Sequence, residues 1–348
     1  MALLLERGYN GTQSGGREDL SDLIANVDAR STPFTSMAKK GKKPGNVLMG
    51  WQMDAYEDPQ VTGTVDGTDV DMTSAGSFTN PAKNRALMQN YAQIFRRVFR
   101  VSSLANEIQV VAGVKSELAN GIAKKLVEIK RDMEMTFLND ADAQVDNGTN
   151  AYLTKSMGSF LHASGTGGGG SDITVPSAFR CTAIDTTASA SLAESNVQDV
   201  LKTLFTNTGI IRDYDLLLGT SLKRAFTNFT QSVTSTAATE SSHDVTASPI
   251  KTFNQEANTK SYINCIDLFE GDFGRLRLHP STFIAESGSA VAFKGYAIPF
   301  DQVEIRYGKL PQIKELTDNG GGPARLIEAV AALVVYNPKG VGYFNGAS

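Results

Sequence analysis

The chain has 348 residues, 41% of them hydrophobic and 20% charged, with a formal net charge of -4 and only two cysteines. That balance supports a large core, in two lobes or one elaborated fold, and excludes a disordered chain, a bilayer-spanning protein and a surface built mainly to grip nucleic acid. Met1 to Leu5 is too short for the core of a signal peptide, and Cys181 and Cys265 lack CxxC spacing, so a cytoplasmic protein with buried free thiols is expected.

The chain opens on an arm. Leu20, Leu23, Ile24 and Val27 fall on one side of a short helix that the Ser31-Thr32-Pro33 turn ends, after which Phe34 and the residues up to Asn46 are expected to stay extended. Two helical turns and a ribbon bury too little apolar surface to offset the entropy of ordering them, so a neighbouring surface is expected to supply the rest. Lys39, Lys40, Lys42 and Lys43 close the arm as a charge run, by default a solvated segment.

Val47, Met49, Trp51 and Met53 share one face of VLMGWQMD, the period-two mark of a half-buried strand. NYAQIFRRVFRVS, from Asn90, answers it with Tyr91, Phe95, Arg97 and Phe99 on one face and Arg96 and Arg100 on the other, so the two are expected to pair as a long hairpin. Its distal part, Gln52 to Ala82, carries Asp54, Glu57, Asp58, Asp66, Asp69 and Asp71 and no lysine or arginine.

A long helix is expected from about Ala105 to Asn139, where Val111, Leu118, Ile122, Ile129, Met133 and Phe137 recur at helical spacing, flanked by Lys115, Lys124, Lys125, Lys130 and Arg131. Residues 141–191, rich in Gly, Ser and Thr, read as loops linking two lobes. A helix capped by Ser191 and Glu194 and stopped at Gly209, the strand YDLLLG from Tyr214 and a helix from Thr220 to Phe229 follow. Strands are then expected at YINCIDLF, FGRLRLHP, DQVEIRYGK and ARLIEAVAALVVYNP, which makes the whole α+β.

No catalytic or metal-binding constellation emerges. Gly165, Gly167 and Gly170 formally satisfy GxGxxG but lack the strand before and the helix after that a dinucleotide turn needs. Ser36 and Lys39 form an SxxK pair without its companion motifs, and His162, His243 and His279 are far apart. The acidic hairpin tip does not reproduce a calcium loop. No catalytic residue, cofactor or metal is therefore expected.

The order of elements resembles the major capsid protein of tailed bacteriophages, with the Hong Kong 97-type fold. At residue level the chain is similar to a podophage-like subset of these head proteins, through Thr32-Pro33-Phe34, the lysine run, the strand with Trp51, Gln52 and Asp54, and the closing stretch RLIEAVAALVVYNPKGVGYFNG. The resemblance implies an N-terminal arm (1–46), an extended hairpin loop (47–101), a peripheral domain with a spine helix (102–190, resumed over 281–348) and an axial domain (191–280). It also implies a virion shell of pentamers and hexamers, assembled in the host cytoplasm around double-stranded DNA bound non-specifically on the inner face. A portal protein is its implied partner, together with a separate scaffolding protein or none, since the arm begins almost at Met1; whether a decoration protein binds is left open, and no membrane is implied. A cellular encapsulin-like compartment is the alternative with the same fold.

In such a shell Phe34 and Trp51 are expected at subunit contacts, with Trp51 passing from a partly wet to a dry setting on assembly. The acidic tip, Asp66, Asp69 and Asp71, is expected to dock on basic surface of an adjacent subunit, either Lys124, Lys125, Lys130 and Arg131 or Arg96, Arg97 and Arg100. Some relatives cross-link a hairpin lysine to a neighbour's asparagine. Without a lysine between Gln52 and Ala82 that bond is expected to be absent.

Overall fold

Pro33 starts a helix where an extended ribbon was expected. The computed structural model describes residues 31–56, 59, 61, 63–69, 85–107, 116–167, 172–188, 192–229, 252–254, 261–263, 266–286 and 294–346, and helix α1 is Pro33–Met37. Proline suits the first helical position because its φ is already helical and its missing N–H needs no partner there. The helix expected over Leu20 to Val27 lies outside the described residues. After α1 the chain runs as strand β1 (Lys39–Lys40), parallel to residues 304–305.

Strands β2 (Leu48–Met53) and β3 (Ala86–Tyr91) form a two-stranded antiparallel ribbon with Trp51 opposite Met88. The segment expected to answer β2 therefore divides at Ala92, whose N–H bonds the Val47 carbonyl at 2.9 Å. Beyond it β4 (Gln93–Arg100) leaves the ribbon for another sheet, drawn by Phe95, which is buried edge-on to Phe137.

The long helix appears as α2 (Ser103–Glu107) and α3 (Glu117–Leu138); residues 108–115 lie outside the description. Ser116 caps α3 by accepting the Ala119 N–H. Ile129, Met133, Phe137 and Leu138 form its buried stripe.

Past α3 comes a correction. Residues 154–161, read as part of a linker, are all buried and include helix α4 (Met157–Leu161). Strand β5 (Ile184–Asp185) and helix α5 (Glu194–Thr208) follow. Ala193, not Ser191, is the N-cap of α5, and the Asn196 side chain accepts the Ala193 N–H at 3.0 Å. Gly209 ends α5 in the left-handed region at φ 68°, as its position suggested.

The rest of the chain supplies β6 (Arg212–Leu218), α6 (Thr220–Asn228), β7 (Thr252–Asn254), β8 (Ser261–Ile263), β9 (Leu268–Gly271), β10 (Gly274–Pro280), α7 (Thr282–Glu286), β11 (Lys294–Ile298), β12 (Val303–Leu316), β13 (Ala324–Val335) and β14 (Gly342–Asn345). One sheet has the order β1-β12-β13-β4 and packs on α3; the other has the order β5-β14-β11-β6-β10-β9. Strands β11 and β14, grouped by sequence with the first lobe, thus pair with the strands of the second. A single apolar cluster runs through both sheets, from Phe34 to Phe344.

Candidate assembly surfaces

The arm is locked to α3 by a buried carboxylate. Glu134 is fully buried and accepts the N–H groups of Phe34 at 2.8 Å and Thr35 at 2.7 Å, the two free donors at the start of α1. Burial pushes the Glu134 carboxyl above its usual range, and these two donors pull it back. Phe34, with no exposed surface, fills the space between Phe137 and Phe300, with ring centroids 6.2 and 6.0 Å away. Its own chain therefore covers it, where a neighbour was expected to. The same holds for Trp51: it is only 8% exposed in the single chain and sits 6.3 Å from the Phe160 ring, so it is dry before any assembly.

A second buried polar group joins α4 to the loops around it. Lys155 has no exposed surface; its Nζ donates to the Ile173 carbonyl at 3.1 Å, lies 3.5 Å from Asp142 Oδ1 and stands over the Phe160 ring. Asp142 Oδ1 also accepts from Ser159 Oγ and from the Gly167 N–H. Burial pushes the Lys155 ammonium down to about 8 against the opposing pull of Asp142. In the unfolded chain the group titrates near 10.4, so below about pH 8 its full penalty is present, and between about 8 and 10 the unfolded state binds the extra proton.

Stability should therefore rise through that window, by up to about 3 kcal/mol from this group. Subtracting the pH profile of unfolding free energy of Lys155→Met from that of the parent isolates the effect. A flat difference from pH 7 to 10 would show that Lys155 is not buried as a charged group.

The arginines of β4 are already partnered within the chain. Arg96 meets Glu328 at 2.8 Å, Arg97 meets Asp132 at 2.5 Å and Glu128 at 3.9 Å, and Arg100 meets Asp318 at 3.4 Å. On α3, Lys125 bonds Glu128 at 2.7 Å, Lys124 and Lys130 are exposed, and Arg131 is half-buried. Lys309 and Arg96 hold the Glu328 carboxyl at about 2, and Lys314 stands 3.9 Å off. Three cations thus share one carboxylate.

Asp66 and Asp69 are exposed, on and beside the Val65–Thr68 turn, and neither has an ion-pair partner among the described residues; Asp71 lies outside them. Lys39, Lys40, Lys42 and Lys43 are likewise exposed, with no carboxylate partner among the described residues. Sequence reasoning did not single out Glu134, Asn90 or Lys155, whose partners lie 100, 243 and 18 residues away.

Among the described residues no group of three or more His, Cys, Asp or Glu could hold a metal ion. The cleft of about 530 Å³ lined by Asp140, Asp142 and Asp172 is not an exception: Asp140 pairs closely with Lys294, Asp142 is engaged as above, and Asp172 accepts the Val145 N–H. Cys181 is buried and unpaired, with its thiol pushed up to about 12 by burial; Cys265 lies outside the described residues.

Comparison with known proteins supplies the identity. The family profile described as SU10 major capsid protein matches residues 7–348. Among curated proteins, the major capsid protein of Escherichia phage Phieco32 is 31% identical over 144 residues, 41% of this chain; the match spans only 38% of that relative's length.

Solved structures agree in fold. One from Mycobacterium phage Bobi has a TM-score of 0.57 at 12% identity and covers 96% of both chains. One titled the capsid of Myoviridae phage XM1 has a TM-score of 0.55 at 8% identity, covering 94% of this chain and 96% of that one. A capsid of a native GTA particle has a TM-score of 0.55 at 10% identity, with 100% and 99% covered. At such identities these likenesses speak for the fold alone. The family match favours the phage reading over the cellular compartment, and the chain belongs to the SU10 major capsid protein family, structural head proteins of tailed phages with the Hong Kong 97-type fold and no enzymatic role.

Proposed function

We propose that copies of this chain close into an icosahedral shell of pentamers and hexamers that encloses double-stranded DNA, as the podophage-like head proteins that it resembles do. The observation that carries the reading is the family match over residues 7–348. In this reading α3 is the spine helix of a peripheral domain with the sheet β1-β12-β13-β4, and the sheet β5-β14-β11-β6-β10-β9 with α5 and α6 is the axial domain. The β2–β3 ribbon and the loop beyond it are the extended hairpin. A portal protein and a separate scaffolding protein complete assembly, and a decoration protein binds outside.

Negative-stain microscopy of the purified protein, alone and with its scaffold, tests this: closed particles of uniform size are expected, and dispersed subunits under both conditions would overturn it. Particles boiled in detergent should then run as single subunits near 37.3 kDa, because the hairpin from Gln52 to Ala82 has no lysine for an isopeptide bond. A covalent ladder would show that another residue supplies the nucleophile.

A further inference from the structure

The side of α3 that carries α1 continues beyond it with nothing on top. Val127 lies seven residues before Glu134, about two helical turns, so the two look out in the same direction, and α1 roofs only the Glu134 end through Phe34 and Thr35. Toward the start of α3 that side is open among the described residues: Val127 is 48% exposed, Ala123, Lys124 and Lys130 around it are exposed as well, and Met135 on its flank is 39% exposed. Neither Lys124 nor Lys130 has a carboxylate partner among the described residues. Exposed valine and methionine set between two unneutralised lysines mark a helix face made to be covered.

The chain itself carries a matching segment just upstream of α1. Residues 17–28 read REDLSDLIANVD, in which Leu20, Leu23, Ile24 and Val27 recur at the i, i+3, i+4, i+7 spacing of one helical face. Asp19 and Asp28 border that face, and the stretch carries four carboxylates against the single Arg17. At about 1.5 Å per residue a helix over 17–28 is about 18 Å long, and Ala123 to Met135 on α3 spans about 18 Å as well. Only residues 29–32 separate this stretch from α1. Fully extended they reach about 14 Å, which brings the stretch to the α3 of its own chain before any other.

We infer that residues 17–28 fold as a helix on this side of their own α3 and parallel to it, with Leu20, Leu23 and Ile24 over Ala123 and Val127, Asp19 toward Lys124 and Asp28 toward Lys130. That helix and α1 then form one strap along α3, pinned at its downstream end by Glu134. A helix this short is marginal in water by itself, so the apolar seat is what makes it form. The strap belongs to the free subunit, whether or not shells close. A nucleic acid backbone would take the two lysines and leave Val127, Met135 and the apolar stripe of residues 20–27 without cover.

Hydrogen exchange of the intact chain, kept as dispersed subunits, tests the seat. The amides of residues 21–28 should exchange slower by about tenfold or more than in Leu23→Asp with Ile24→Asp, and Val127→Asp alone should release them to the same extent. In both variants the amides of β13 should keep the parent's protection, which separates a lost seat from a lost fold. Independently, in a Cys265→Ser background, Leu23→Cys with Val127→Cys should oxidise in air to a disulfide within one chain, which runs as a single subunit on a non-reducing gel.

Amides of residues 21–28 that exchange as an open chain in the dispersed parent would overturn the strap. So would protection that Val127→Asp leaves intact, which would put the cover elsewhere. A disulfide that joins two chains into a dimer, or protection that arises only in closed particles, would assign the helix to a neighbouring copy and overturn it too. If the parent forms no shells and these amides are still protected, the shell reading fails and the strap stands.

Discussion

Replacing Phe34 by alanine is expected to destabilise the isolated subunit by about 3–5 kcal/mol, the range for removing a fully buried phenylalanine. The ring has no exposed surface, touches Phe137 on α3 and Phe300 before β12, and sits in the main apolar cluster. The cavity left behind would border Glu134, whose two bonds to α1 depend on that helix staying seated. Removing residues 1–46 should be at least as damaging, because β1 and α1 go with them. Urea unfolding of the dispersed subunit separates the cases. If Phe34→Ala moves the midpoint by less than the equivalent of about 1 kcal/mol, the segment after Pro33 is not part of the subunit core.

That result bears on what was legible in the sequence. Strict alternation at Leu276 and Leu278, and at Val303, Ile305 and Tyr307, marked half-buried strands, and all but the half-buried Tyr307 are buried. Strand β11 left no such mark: all five of its residues are buried, so a central strand with both faces covered shows no alternation to read. Residues 154–161 were misread for a related reason. Ser, Thr, Gly and Lys usually mean a solvated loop, but here each polar group finds a buried partner, as Lys155 does at Asp142 and Ser156 Oγ does at the Ala141 carbonyl.

The assembly surfaces divide the same way. The charge segregation of the hairpin was visible as composition, while the partners of Arg96, Arg97 and Arg100 lie 31 to 232 residues away and are set by pairing across sheet and helix. Burial of Phe34 and Trp51 was foreseen, but its source was assigned to a neighbour, because an amphipathic segment states that it must be covered and not by what.

The Asn90 side chain takes part in five hydrogen bonds, and its loss is the second large effect expected. Fully buried in β3, it accepts the N–H of Tyr91 at 2.8 Å and of Lys155 at 2.7 Å. Its two amide hydrogens are shared among Thr154 Oγ1 at 3.0 Å, the Lys155 carbonyl at 3.3 Å and the Leu333 carbonyl at 2.6 Å. The side chain thus ties the base of the hairpin ribbon to the segment before α4 and to β13. Asn90→Ala would strand several of these groups away from water, at a cost of about 1–3 kcal/mol for each left unsatisfied, so a total of about 3–5 kcal/mol is expected. Asn90→Asp should rescue little at pH 7, because a carboxylate still accepts the two N–H groups but confronts three oxygens with no hydrogen to offer. Faster amide exchange at Lys155 in Asn90→Ala, with a midpoint lowered to match, would confirm the tie, whereas loss of less than about 1 kcal/mol with Lys155 still protected would mean that the ribbon is held by its apolar face alone.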